Sequence, residues 1–251
     1  MKCALLYKFT LFIVLCFGSS VYFYHVYRKS QIRLVTSVPI RIIAQTGPEK
    51  EGLKTDYLAQ LIGLSLDRKP SIIDEKSAER RLLSSPLIQR AQVKQVAPGI
   101  LFIDYNMRKP YVLLGEFENV ALDREGYPFP FAPFYTPKNM PCVYLGKTPI
   151  YWNVPVDKRQ LAFEILEYLQ EKIDLFKVKI LDITHANHPL LGKKEVVIVI
   201  QNWGGQHTLR LLPTSYREAL ARYLLIPCEK GKQIIDLRLP ELGFIKREDH
   251  D

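Results

Sequence analysis

From Phe9 to Tyr27 the chain reads FTLFIVLCFGSSVYFYHVY, nineteen residues without an Asp, Glu, Lys or Arg. Nothing else in the sequence narrows the choice of fold as much. As a helix rising about 1.5 Å per residue, this run would be roughly 28 Å long, close to the thickness of a bilayer's hydrocarbon core. Tyr22, Tyr24 and Tyr27 gather at its far end, where an aromatic belt belongs, and Arg28 and Lys29 stop it. The expectation is a single transmembrane helix over residues 9–27. Residues 1–8 form a cytoplasmic head and the body lies outside the cytoplasm, because long domains translocate largely regardless of charge. The rival is a cleaved signal peptide, with Lys2 and Lys8 as its basic start and Gly18-Ser19-Ser20 as the small-residue cleavage site. Apolar character that continues past Ser20 favours the uncleaved anchor.

The remainder is large enough for real cores, since 47% of the 251 residues are hydrophobic. A net charge of +9 suits an anionic surface or an acidic partner. The bases are scattered, with no run of five, which argues against the clustered footprint that nucleic-acid binding needs. Cys3 and Cys16 lie in or beside the apolar run. Cys142 and Cys228 are left in the body, where they either pair or stay as buried thiols.

After a polar linker (residues 28–37), "VPIRIIAQT" is β-rich and ends at Gly47-Pro48, a strand and a turn. "LKTDYLAQLIGLSL" spaces Leu53, Tyr57, Leu61 and Leu64 as a helix does. "SIIDEKSAERRLLSS" offers Asp74 as an N-cap and ends before Pro86. "AQVKQVA" and "ILFIDYNM" flank Pro98-Gly99, a turn pair. Residues 38–110 thus read strand, helix, helix, strand, strand, with Ile42, Leu61, Leu82, Val93, Leu101 and Ile103 as core. Residues 111–247 form a second unit. It holds short strands ("YVLLGEF", "NVALD", "YPFPFAPF"), an amphipathic helix ("DKRQLAFEILEYLQEKI") and a second helix ("SYREALARYLLI"). Further strands are "VKILDIT", "EVVIVIQNW", "HTLRLLP", "QIIDLRLP" and "GFIKRE". Residues 248–251 are a charged tail.

Candidate chemistry is sparse. In "ILFIDYNM" the apolar residues alternate, so Asp104 points from the wetter face of a strand with no second acid beside it. Asp123 and Gly126 occupy the first and fourth positions of a turn, which makes Asp123 and Glu125 turn residues first. His185 and His188 lie three apart without further metal ligands. Gly204-Gly205-Gln206 sits between β-rich runs as hairpin chemistry, and Ser215 lacks a nucleophile frame. Trp152 and Trp203 read as core or interface anchors. No cofactor, metal or small-molecule substrate is expected.

Several segments together resemble the FtsQ/DivIB family of bacterial cell-division proteins. "PLIQRAQVKQVAPGILFIDY" is similar to the family's hairpin through Pro86, Ala91, Val93, Pro98, Leu101 and Ile103. "RKPYV" resembles its R-x-P, and "LDREGYPF" its D-x-x-G-x-x-F through Asp123, Gly126 and Phe129. "MPCVYLG" matches the P-x-h-x-G that follows, and "IIDLRLP" the I-D-L-R at Ile235 to Arg238. The likeness spans nearly the whole chain. Met107 stands where the family has an acid, the head before Phe9 is short, and Cys142 and Cys228 are additions.

The resemblance implies an α+β fold: one N-terminal transmembrane helix, a small POTRA domain (βααββ), then a larger mixed α/β domain with a mainly antiparallel sheet. It also implies a place in the bacterial inner membrane and a non-enzymatic role. The chain would be a membrane-anchored scaffold of the septal division machinery, binding FtsB-type and FtsL-type coiled-coil membrane proteins. Strand addition to an exposed sheet edge is the physical rationale. The last strand is the candidate edge, with a partner strand beside Leu242, Gly243, Phe244, Ile245 and Lys246 and with Phe244 or Tyr223 as aromatic anchor. The plainer reading is an edge that Lys246 and Arg247 merely protect. The alternative functions are a POTRA-type chaperone for exported polypeptides and a secreted hydrolase.

Overall fold

The computed structural model describes residues 16–28, 42–46, 52–64, 74–97, 100–136, 139–174, 177–202, 205–226 and 231–248. Its first element is a helix over residues 16–28 (α1), within which the Ser19 hydroxyl donates to the carbonyl of Cys16 at 2.9 Å. The membrane span expected over residues 9–27 is not supported. Among the described residues, no helix is long and apolar enough to cross a membrane. Thirteen residues reach about 20 Å, and Gly18, Ser19, Ser20, His25 and Arg28 interrupt the apolar surface. The single-pass inner-membrane placement, with a cytoplasmic N-terminus and an exported body, is corrected with it. Residues 9–15 lie outside the described residues.

The chain divides into two compact units, one holding Leu53–Leu83 and Arg90–Asn106 and the other Ser84–Gln89 and Met107–Asp251. In the first, β1 (Ile42–Thr46) is followed by α2 (Thr55–Ile62), α3 (Glu75–Leu83), β2 (Ile88–Ala97) and β3 (Ile100–Met107). The sheet order is β1-β3-β2, with β1 parallel to β3. β3 alternates as its sequence does: Leu101, Ile103 and Tyr105 are buried, while Asp104 is exposed. Asp74 accepts from the backbone N–H of Ser77 at 3.0 Å and so caps α3. α2 ends at Gly63, whose φ of +77° supplies the left-handed turn that only glycine adopts without strain.

Of the expected core residues, Leu82, Val93, Leu101 and Ile103 are buried, and the side chain of Ile42 lies outside the described residues. Leu61 is only half-buried. The buried stripe of α2 runs through Leu58, Ala59 and Ile62, and Leu61 sits one position round from it. Tyr105 fills the core of this unit and accepts the Leu53 N–H at 2.7 Å. Burial is the main cause that pushes its phenol pKa up, and the Leu53 contact only partly offsets it. Tyr105→Phe should therefore lower the unfolding free energy by about 1–3 kcal/mol, because it strands a buried N–H. Urea denaturation of the variant measures this, and no change in midpoint would contradict it.

The second unit carries a nine-stranded sheet ordered β12-β11-β10-β9-β8-β7-β4-β5-β6. Its strands are β4 (Val112–Leu114), β5 (Val120–Leu122), β6 (Pro128–Pro130), β7 (Cys142–Tyr144), β8 (Val178–Asp182), β9 (Val196–Asn202), β10 (Gly205–Leu211), β11 (Gly231–Asp236) and β12 (Phe244–Glu248). Helix α4 (Arg159–Gln170) connects β7 to β8, and α5 (Tyr216–Tyr223) connects β10 to β11. Both crossovers return the chain parallel, as a helical connection requires. With β4 parallel to β7, three ladders are parallel and five antiparallel. The sheet is therefore mixed, with the antiparallel ladders in the majority. The fold is α+β, and the membrane helix expected with it is not found among the described residues.

The apolar faces of α4 (Ala162, Ile165, Leu166, Leu169) and α5 (Ala219, Leu220) join Val143, Leu181, Ile198, Leu209 and Ile235 in one buried cluster. Near the start of this unit, Arg108 and Asp123 form a buried ion pair at 2.7 Å. The Arg108 Nε also donates to the carbonyl of Pro86 at 3.1 Å, and the guanidinium lies 4.2 Å from the centroid of the Tyr127 ring. The Asp123 Oδ1 accepts from the N–H groups of Glu125 (3.0 Å) and Tyr127 (2.9 Å), which closes the turn at Gly126 (φ +86°).

Candidate docking site

The two edges of the large sheet are built differently. β6 is three residues long, carries Pro128 and Pro130, and is largely buried, so it offers little backbone to another strand. β12 is five residues long and lacks proline; it pairs on one side with β11, from Lys232↔Glu248 to Asp236↔Phe244. Its other side is the sheet edge. Antiparallel pairing points alternate N–H and C=O groups away from β11, which leaves that row as a template.

Side chains along the edge are apolar and exposed. Leu242 is 58% exposed, Phe244 61% and Ile245 50%. Gly243 and Lys246 are exposed as well, so Leu242, Gly243, Phe244, Ile245 and Lys246 come together as one surface strip. Tyr223, the other expected anchor, is not part of it. It is buried on α5, with its hydroxyl 2.9 Å from His207 Nδ1 and the two rings in a T-shape. The spacing of Tyr216, Ala219, Leu220 and Tyr223 already places Tyr223 on the helix face that packs inward.

Beside β12, a groove of about 380 Å³ is lined by Leu191, Gly192, Leu212, Leu239 and Phe244, with Asp236 and Arg238 among its walls. Asp236 lies opposite Phe244 on β12 and Arg210 on β10, so all three share one face of the sheet. Arg222 of α5 fixes the groove's wall by donating to the carbonyls of Leu237 (3.2 Å), Leu239 (3.1 Å) and Pro240. A Leu191–Lys193 3-10 turn covers the other side, and Arg238 Nη1 donates to the carbonyl of Gly192 at 3.3 Å.

The charges in this region are paired with one another. Arg238 Nη2 meets Asp236 Oδ2 at 2.7 Å, and Arg210 Nη2 meets Glu195 Oε2 at 2.6 Å. Longer contacts of 3.7 Å join Arg210 to Asp236 and Arg238 to Glu195. The sequence signal for this network is I-D-L-R itself, because two residues spaced by two on an extended chain share a face. For Asp236, burial is the largest single influence and raises the pKa. The hydrogen bonds from Arg238 and the charges of Arg238 and Arg210 outweigh it, and hold the carboxyl below its ordinary 3.8. A carboxyl lowered by folding contributes stability that is complete above its unfolded value and lost as pH falls through the folded one. Unfolding free energy should therefore drop as pH is lowered below about 4, and Asp236→Asn should make that drop shallower. Denaturant melts between pH 2 and pH 6 check this, and parallel curves for the two proteins would contradict it.

Asp123 is committed to Arg108, and Glu125 accepts from Gln89 Nε2 at 3.1 Å. His188 Nδ1 accepts from the N–H of Leu190 at 3.1 Å, and the His185 and His188 rings are 6.0 Å apart. Among the described residues, no group of three or more His, Cys, Asp or Glu is placed to hold a metal ion. Ser215 directly precedes α5 without a capping bond from its side chain, and Trp152 is exposed. Gly205 opens β10 where it passes the backbone of Gly231 too closely for any side chain. Cys142 is a free, half-buried thiol whose pKa is raised chiefly by burial. Cys228, Trp203 and Gly204 lie outside the described residues.

No protein-family model matches the chain, and a comparison with curated proteins gives no match.

Proposed function

We propose that this chain is a non-enzymatic scaffold of the FtsQ/DivIB type, serving the bacterial septal division machinery. It holds FtsB-type and FtsL-type coiled-coil proteins by accepting one of their extended segments as an additional strand on β12. The observation that carries this reading is the contrast between the sheet's two edges. One is short and closed by prolines; the other is five residues long and presents exposed Phe244 and Ile245 beside an apolar groove. Main-chain pairing then supplies affinity, and pockets for alternate side chains supply selectivity. Such docking uses no acid, base or metal.

A photo-crosslinking residue placed at Ile245 in bacterial cells tests the proposal. Capture of a small coiled-coil division protein is the expected result. Capture of many unrelated extended polypeptides would identify a chaperone instead. Crosslinking from Val96 on β2, the edge strand of the smaller sheet, with none from Ile245 would move the docking site to the first unit.

A further inference from the structure

A crevice of about 400 Å³ opens where the parallel strands β7 and β8 end and α4 begins. Leu145 follows β7 and Ile183 follows β8; both are buried, and with Leu161 of α4 they make an apolar floor. The mouth is polar: Lys158, Thr184 and Asn187 are exposed, and Glu164 is half-buried. In sheets with helical crossovers, ligands bind in such crevices outside the carboxyl ends of the strands, and this volume suits a small molecule.

The backbone donors at the strand ends are already taken. Glu116 accepts from the N–H groups of Leu145 and Gly146, and Asp182 Oδ1 accepts from that of Thr184 at 2.8 Å. Lys158 and Glu164 meet only neutral groups: Lys158 Nζ approaches the Lys147 carbonyl at 3.5 Å, and Glu164 Oε1 accepts from Gln160 Nε2 at 3.1 Å. Among the described residues, neither forms an ion pair. Lys158, Leu161 and Glu164 follow one another at a spacing of three, along one side of α4. The cation and the anion therefore stand about 9 Å apart along the helix axis, with apolar surface between them.

We infer that this crevice binds a short free peptide, of about three residues, as a zwitterion. The peptide's carboxylate meets Lys158, its ammonium meets Glu164, and an apolar middle side chain lies on Leu145, Leu161 and Ile183. An extended tripeptide is about 10 Å long, which matches the span, whereas a single amino acid is shorter than it. The direction also suits α4, whose first turn holds no acidic residue and favours an anion at the Lys158 end. A dicarboxylate would set one of its charges against Glu164. Thr184 and Asn187 offer hydrogen bonds to the peptide's main chain. Binding here needs nothing from β12, which stands four places from β8 in the sheet.

Calorimetric titration of the full chain with alanyl-leucyl-alanine, free at both ends, tests this. Saturable one-to-one binding is expected. Acetylating the amino end or amidating the carboxyl end should each weaken it about fivefold or more, because each deletes one charged contact. Lys158→Gln should erase the difference between the free and amidated peptides, and Glu164→Gln that between the free and acetylated ones. Neither position is buried, and the blocked peptides probe the unaltered chain as well. Absence of saturable binding, equal binding of the blocked peptides, or end-blocking losses that persist in the matching variant would overturn the proposal. Free leucine binding more tightly than the tripeptide would overturn it too.

Discussion

Asp123→Ala should lower the unfolding free energy of the larger unit by about 3–5 kcal/mol. The substitution leaves the Arg108 guanidinium buried, with the Pro86 carbonyl and the Tyr127 ring as its company among the described residues. An uncompensated buried charge costs far more than an exposed pair is worth. It also removes the acceptor for the Glu125 and Tyr127 N–H groups, so the Gly126 turn loses its tie. Arg108→Ala should cost a similar amount by stranding the carboxylate. The double variant Arg108→Met/Asp123→Asn should fall nearer the wild type than either single alanine, because no charge is left buried and the amide oxygen still serves the turn. Urea melts of the four proteins measure this. Single variants within about 1 kcal/mol of the wild type would mean that water reaches the pair and that it is a surface contact.

The Arg108–Asp123 pair is not legible in the sequence. Arg108 and Asp123 are each visible in a motif, R-x-P and D-x-x-G, but nothing local says that Arg108, fifteen positions away, pairs with the carboxylate that closes the turn. Strongly periodic segments are legible: "ILFIDYNM" alternates in the sequence and in the fold, and the apolar stripe of α4 faces the sheet. Strands of three residues, such as β4, β5, β6 and β7, are too short to show a period, and so their mixed pairing is not legible. The apolar run before Arg28 misleads in another way. Counting uncharged residues ignores Gly18, Ser19, Ser20 and His25, and among the described residues the helix there is short. At the edge strip, the sequence places the last strand but not the groove beside it, which gathers residues from the Leu191 turn, the end of β10 and β12.

If β12 is a template for an added strand, a proline inside it should abolish docking. Proline removes an N–H, and its ring obstructs a neighbouring strand, so sheets tolerate it only where no pairing is needed. N–H groups on adjacent residues of a strand point to opposite sides. One of Ile245→Pro and Lys246→Pro therefore deletes an outward donor, and the other breaks the ladder to β11. Either change should disrupt the template. The core is spared, because Ile245 and Lys246 are exposed and the buried cluster stops at Ile235 and Leu237. A charge swap at Lys246 should weaken capture less than either proline, since main-chain pairing supplies most of the affinity. The measurement is the affinity of each purified variant for the protein crosslinked at Ile245, with circular dichroism melts alongside. Binding should fall at least about a hundredfold in both proline variants while the melting transition of the first unit is unchanged. Binding of either proline variant at wild-type affinity would contradict strand addition on β12.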